Sequence, residues 1–168
     1  MRQRGARRTP LPPASPEAPA GVVEQLSRWV RGRVHGESAA RAVLRELRAE
    51  AEAVSPRLGL MEGYDRFMRV IHEAPPLRSR LWSLQQEIHD HLEATLSEEA
   101  GAPEGDPLPG LIAGQISWCH QTVFVAVGRE MLKGCNPDEV SREVLVLLDD
   151  IEELLSEKVL NYAVRRAE

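Results

Sequence analysis

The sequence predicts an all-α domain, and three observations carry that prediction. From Val22 onward apolar residues recur at three- and four-residue spacings, which places them on one face of a helix. No segment alternates apolar and polar residues for more than a few positions, so strand signals are absent. Prolines at 56, 75, 76, 103, 107 and 137 punctuate the periodic stretches, where a helix interior could not hold them. With 168 residues, 42% of them hydrophobic and 28% charged, the chain can bury one core without a metal or disulfide staple.

Six helices follow in order. Val22, Val23, Leu26, Trp29 and Val30 describe a short amphipathic helix ending near Gly32. A second starts at Ser38 and presents Ala39, Ala40, Val43, Leu44, Leu47, Ala51 and Val54 on one face, until Ser55-Pro56 stops it. The third, Gly63 to His72, carries Tyr64, Phe67, Met68 and Ile71. Pro75-Pro76 breaks the chain before a fourth helix over Leu77 to Ala100, closed by Gly101 and Pro103. Asp106-Pro107 pairs a capping residue with a first-turn proline and opens a fifth helix that reaches about Leu132. Between Leu111 and Val127 that helix carries no charge and is apolar on nearly every side, so it must be covered on more than one face. Asn136-Pro137 opens the sixth, expected to run to about residue 165, with Val140, Val144, Leu147, Leu148, Ile151, Leu154, Leu155, Val159 and Tyr162 along one stripe. The spacing of that stripe and the covered helix before it suit a helical dimer seam. Its expected residues are Val125, Val144, Leu147, Leu148, Ile151, Leu154 and Leu155.

Charge divides the chain. Residues 1–20 hold Arg2, Arg4, Arg7 and Arg8 against Glu17, and five of the twelve prolines, whereas the remaining residues sum to −8 within a net −5. The first segment reads as a disordered arm, and residues 21–168 as the helical domain. The acidic body argues against a nucleic-acid-coating surface. The first twenty residues lack an apolar signal core and no uncharged apolar run reaches membrane-spanning length, which predicts a cytoplasmic protein without a membrane partner.

No catalytic constellation emerges, and the sequence predicts neither an enzyme nor a cofactor. His89 and His91 stand two apart on a helix and point about 200° away from each other, so they cannot share a metal. Cys119 and His120 are adjacent and fall on different flanks, and no phosphate loop or His-Glu-x-x-His pattern exists. The carboxylate pairs at 98–99, 149–150 and 152–153 sit on polar faces rather than in a desolvated cleft. What remains is a set of bulky apolar residues beside isolated polar ones. Phe67, Met68, Ile71, Trp82, Trp118 and Phe124 lie on three successive helices, and His120 and Gln121 lie inside the uncharged one. Polar groups in a covered helix need partners, and a ligand cavity formed by these eight residues is one way to supply them.

The run Phe67-Met68-Arg69-Val70-Ile71-His72-Glu73-Ala74, followed by Pro75-Pro76-Leu77-Arg78-Ser79-Arg80, resembles a segment of TetR-type transcriptional regulators, in which a short helix meets a long one at a P-x-L-R-x-R junction. The turn Glu104-Gly105-Asp106-Pro107 and the two helices after it also look like that family, so the likeness spans about residues 22–166. The branch most resembled contains the mycofactocin regulator and repressors of acyl-CoA-like ligands. The resemblance implies a helical bundle that binds a small apolar or acyl-CoA-like effector between its middle helices. It also implies a homodimer, built as a four-helix bundle from the last two long helices. Family members begin with a helix-turn-helix that the segment before Val22 does not carry, so specific DNA binding by this chain alone is not expected. A misplaced start, a frameshift upstream or a genuinely short protein would each leave such a leader. The expected function is thus the sensing and dimerisation half of a TetR-like regulator. A stand-alone helical protein that pairs with an intact regulator is the alternative from another class, and a small helical enzyme is the third.

Overall fold

The computed structural model describes residues 20–166, and every regular element among them is helical. The arm expected at residues 1–20 lies outside the described residues except for Ala20. The elements are α1 (Ala20–Val23), α2 (Gln25–Arg31), α3 (Ala39–Glu52), a 3-10 turn (Pro56–Leu58), α4 (Tyr64–Glu73), α5 (Pro75–Ala100), α6 (Leu108–Leu132), α7 (Pro137–Leu154) and α8 (Glu157–Leu160). Six expected helices thus become eight because the first and last are each broken.

Local chemistry sets the boundaries. The Ser38 hydroxyl accepts from the Arg41 amide at the head of α3, and the Asn136 side chain accepts from the Asp138 amide at the head of α7. Asp106 Oδ1 accepts from the Leu108 amide at 2.9 Å, which starts α6. Pro75 and Pro76 do not merely interrupt the chain but form the first turn of α5, where no amide donor is needed. Gly101 closes α5 in the left-handed conformation, φ 59°.

The sixth expected helix does not reach residue 165. Leu155 turns extended, and the Ser156 hydroxyl accepts from the Val159 amide to cap a new turn. The break lets Val159 and Leu160 fold back into the core, with the Ser38 hydroxyl donating to the Leu160 carbonyl at 2.5 Å. Beyond it the tail is laced to the α2–α3 loop through Gly36 N–H to the Arg165 carbonyl (2.8 Å) and Arg165 N–H to the Glu37 carbonyl (3.0 Å).

α6 packs against α4, α5 and α7, which cover most of its apolar circumference but leave Leu111, Trp118 and Val125 exposed. α3 lies across α7, and α2 bridges α3 and α5. Leu26 and Val30 of α2, Leu47 of α3, Leu92 and Leu96 of α5, Val123 and Val127 of α6 and Leu148 of α7 are all buried in one cluster. Each such side chain contributes about 1.5–3 kcal/mol of transfer free energy. Arg48 ties α3 to α7 at 2.8 Å from both Asp149 and Glu152. One charge is buried outright. Arg33 donates to Glu99 Oε2 (2.6 Å), to the Val30 carbonyl (2.6 Å) and to the Ala163 carbonyl (3.0 Å), which fixes the loop, the end of α5 and the tail together.

Candidate functional site

A cleft of about 630 Å³ opens between α1, α2, α4, α5 and α6. Its walls are Val22 of α1, Trp29 of α2, Tyr64 and Phe67 of α4, Leu81, Leu84 and Ile88 of α5, and Phe124 of α6, with Gln25, Gln85 and His120 as neutral polar groups. Arg28 and Arg57 stand on it as well. That size and mixture suit a small molecule with an apolar body.

His120 is the unusual member. Its ring is 5% exposed, edge-on to Trp29 (centroids 6.4 Å) and tilted against Phe124 (4.7 Å). Neither ring nitrogen has a hydrogen-bond partner among the described residues. Burial lowers its pKa to about 4, so near pH 7 the imidazole is neutral and offers one donor and one acceptor. Ser117 Oγ, one turn earlier on α6, is also buried without a partner. Buried polar groups normally find partners, so the His120 nitrogens mark where a group bound in the cleft could complete the site, whereas Ser117 is not part of the cleft lining. Cys119 beside them points into the core instead, and burial pushes its thiol up to about 11, which keeps it protonated and unreactive.

α4 closes one side of the cleft loosely, since none of its residues is fully buried. Two glycines make its docking possible. A side chain at Gly59, where φ is +87°, would meet the Tyr64 ring at 2.5 Å, and one at Gly128 would meet the Met68 methyl at 3.1 Å. Met68 therefore packs on α6 rather than facing the cleft, and Ile71 is half-buried outside the cleft lining.

Of the eight residues expected to form the cavity, the structure brings Phe67, His120 and Phe124 together in the cleft. The other five, Met68, Ile71, Trp82, Trp118 and Gln121, lie outside its lining. Trp82 is 67% exposed, because Leu81, Leu84, Gln85 and Ile88 form the cleft row of α5 and Trp82 lies about 100° round from Leu81. Trp118 is 50% exposed, because it precedes His120 by two positions and so points to nearly the opposite side of α6. Gln121 is half-buried beside the cleft lining rather than in it. Trp29, Arg28 and Tyr64 belong to the cleft without having been expected there. The spacing of Val22, Leu26 and Trp29 marked a helix with one apolar face, but which elements that face met is a tertiary fact.

The expected seam residues also divide. Val144, Leu148, Ile151 and Leu155 are buried within the protomer's own core, a row at four-, three- and four-residue spacing that faces α3 and α6. Val125 and Leu154 are exposed and Leu147 is half-buried. The outward apolar stripe on α6 is Leu111, Trp118 and Val125, recurring every seven residues, and α7 adds Val146. A shallow groove lined by Ala126, Arg129, Glu143 and Leu147 joins the two helices on their outer side.

Among the described residues no group of three or more His, Cys, Asp or Glu side chains is placed to hold a metal, and no helix is long and apolar enough to cross a membrane. Compared with models of known protein families, with curated proteins and with solved structures, the chain matches none of them.

Proposed function

We propose that this chain is the ligand-sensing and dimerisation domain of a TetR-like transcriptional regulator. The observation that carries the reading is His120, a neutral and unpartnered ring buried at the wall of an apolar cleft on the domain's central helix. A ligand there would touch α2, α4, α5 and α6 at once, with its uncharged polar group on His120 and its body against Trp29, Phe67 and Phe124. The least anchored of these elements is α4, so it would move most on binding. α6 carries the cleft on one side and the stripe Leu111, Trp118, Val125 on the other. A two-fold dimer that covers this stripe together with Val146, Leu147 and Leu154 would couple occupancy of the cleft to the relative placement of two protomers. Ligand then acts by favouring one of two arrangements. DNA reading would belong to a head attached to this domain.

The Trp82→Phe/Trp118→Phe double variant leaves Trp29 as the remaining indole of the three in the chain, and therefore as a reporter of the cleft. Titration with a panel of apolar, acyl and acyl-thioester compounds should quench or shift its emission. A flat response across the panel would refute the sensing role. Light scattering at micromolar concentration should give twice the protomer mass, and a monomer would refute the dimer. In a gel shift at about 150 mM salt this chain should not discriminate one duplex from scrambled competitor. The same outward stripe favours a second reading, a helical partner that pairs with an intact regulator. A stable homodimer that does not exchange subunits with such a regulator would dismiss it.

A further inference from the structure

We propose that the cleft is an aromatic groove for a proline-rich extended segment, and that residues 10–19 of this chain, which lie outside the described residues, are its occupant. The proposal goes beyond the sensing reading, because a small ligand would then have to displace the segment in order to bind.

The lining fits such an occupant. The chain has only seven Phe, Tyr and Trp residues, and four of them, Trp29, Tyr64, Phe67 and Phe124, line this one cleft. Tyr64 and Phe67 lie side by side on α4 with ring centroids 5.8 Å apart, and the His120 ring links Trp29 of α2 to Phe124 of α6. Flat rings gathered in this way suit proline, whose ring is apolar and whose φ is already fixed, so an extended proline segment loses little entropy on docking. Such a segment makes no internal hydrogen bonds, which leaves its carbonyls free to accept. The cleft holds donors for them in Gln25, Gln85 and the N–H of the neutral His120 ring, buried without a partner among the described residues.

Position in the chain names the occupant. Pro10, Pro12, Pro13, Pro16 and Pro19 make residues 10–19 half proline, with Leu11 among them. The segment joins the described structure at Ala20, and the next two residues, Gly21 and Val22, already line the cleft. Arg28 Nη2 donates to the Gly21 carbonyl at 2.6 Å, which holds that junction against α2. At about 3.1 Å per residue, Pro16 and Pro13 can lie up to roughly 12 and 22 Å from Ala20, enough to cross a cleft between helices whose axes stand about 8–10 Å apart. A tether this short gives an effective concentration of about 1 mM, so a groove that binds the free sequence at only about 100 μM stays about nine-tenths filled.

The test uses the full chain. Pro12→Gly/Pro13→Gly/Pro16→Gly removes the stiff segment and leaves every residue of the helical core in place, and Trp82→Phe/Trp118→Phe makes Trp29 the reporter. The proline variant should shift Trp29 emission to the red and expose it to acrylamide quenching. A dye-labelled peptide of residues 8–19, followed by anisotropy, should bind the proline variant about tenfold tighter than the natural sequence, whose own segment competes. Adding Phe67→Ala, at an exposed position, should weaken that peptide roughly tenfold, with circular dichroism reporting that the variant is folded. If Trp29 responds alike in both chains and the peptide binds neither, the groove proposal falls. If the peptide binds both equally, the segment does not fill its own cleft and the proposal falls as well. Quenching that changes with protein concentration would give the segment to a neighbouring chain and overturn the contact within one chain. The panel titration of small compounds tests sensing by itself, so the failure of one reading is distinct from the failure of the other.

Discussion

Acidification tests the burial of His120 directly. The folded ring has its pKa lowered to about 4 by desolvation, against 6.5 for an exposed histidine. The unfolded chain therefore takes up a proton between those two values that the folded chain refuses. Stability must rise with pH across that window, with the loss absent above pH 6.5 and complete below about pH 4. The gap, at 1.36 kcal/mol for each pH unit, makes about 3 kcal/mol. His120→Phe removes the proton site and keeps a flat ring beside Trp29 and Phe124. At pH 7 the variant should be as stable as the natural sequence or more so, because an unpartnered buried polar group costs about 1–3 kcal/mol and the phenyl ring has none. Urea unfolding followed by circular dichroism, at fixed protein concentration between pH 4.5 and 7.5, gives both stabilities. Carboxylates held down by basic partners, Glu37 by Arg45 and Glu130 by Lys133, also lose stability as the pH falls, but equally in the two proteins, so the difference isolates the histidine. Parallel pH curves would refute the burial argument. A loss of more than about 2 kcal/mol at pH 7 would mean that the ring nitrogens are hydrogen-bonded after all.

Three further outcomes are expected. Leu148→Ala, in the protomer's own core, should cost about 2–5 kcal/mol without changing the assembly state, whereas Val125→Glu should shift sedimentation to the monomer and remove the concentration dependence of the thermal midpoint. Arg33→Ala should lose about 1–3 kcal/mol in chemical unfolding, because it frees the buried-side Val30 and Ala163 carbonyls while the exposed Glu99 carboxylate rehydrates, and a near-neutral result would contradict its structural role. Gly59→Ala places a methyl 2.5 Å from the Tyr64 ring at φ +87°, so amide exchange in α4 should accelerate, and Tyr64→Ala in the same chain should recover part of the protection.

The sequence by itself determined the helical class, the covering of α6 on more than one face and most helix starts. These depend on near neighbours: Ser38, Asp106 and Asn136 cap amides two or three residues away, and Gly101 supplies a left-handed residue where α5 ends. It also separated His89 from His91, since helical phase is a local property. The same phase argument, applied to Trp118 and His120, would have placed them on opposite sides of α6. The break after Leu154 was within reach too, because Ser156 and Glu157 suit a new cap, but the apolar spacing continued through it to Val159 and Tyr162 and hid it. Only the tertiary structure decided which apolar face meets which. α7 carries apolar residues on two sides, and α3 covers Val144, Leu148 and Ile151 while Val146 and Leu154 stay outside. The cleft itself joins Val22, Arg28, Tyr64, Leu84 and His120 across nearly a hundred residues. Likewise Arg33 is buried because the end of α5 brings the Glu99 carboxylate and the C-terminal tail brings the Ala163 carbonyl against it, beside the Val30 carbonyl of α2. Spacing along a chain fixes which side of a helix a residue occupies, and burial depends on what the rest of the chain brings against that side.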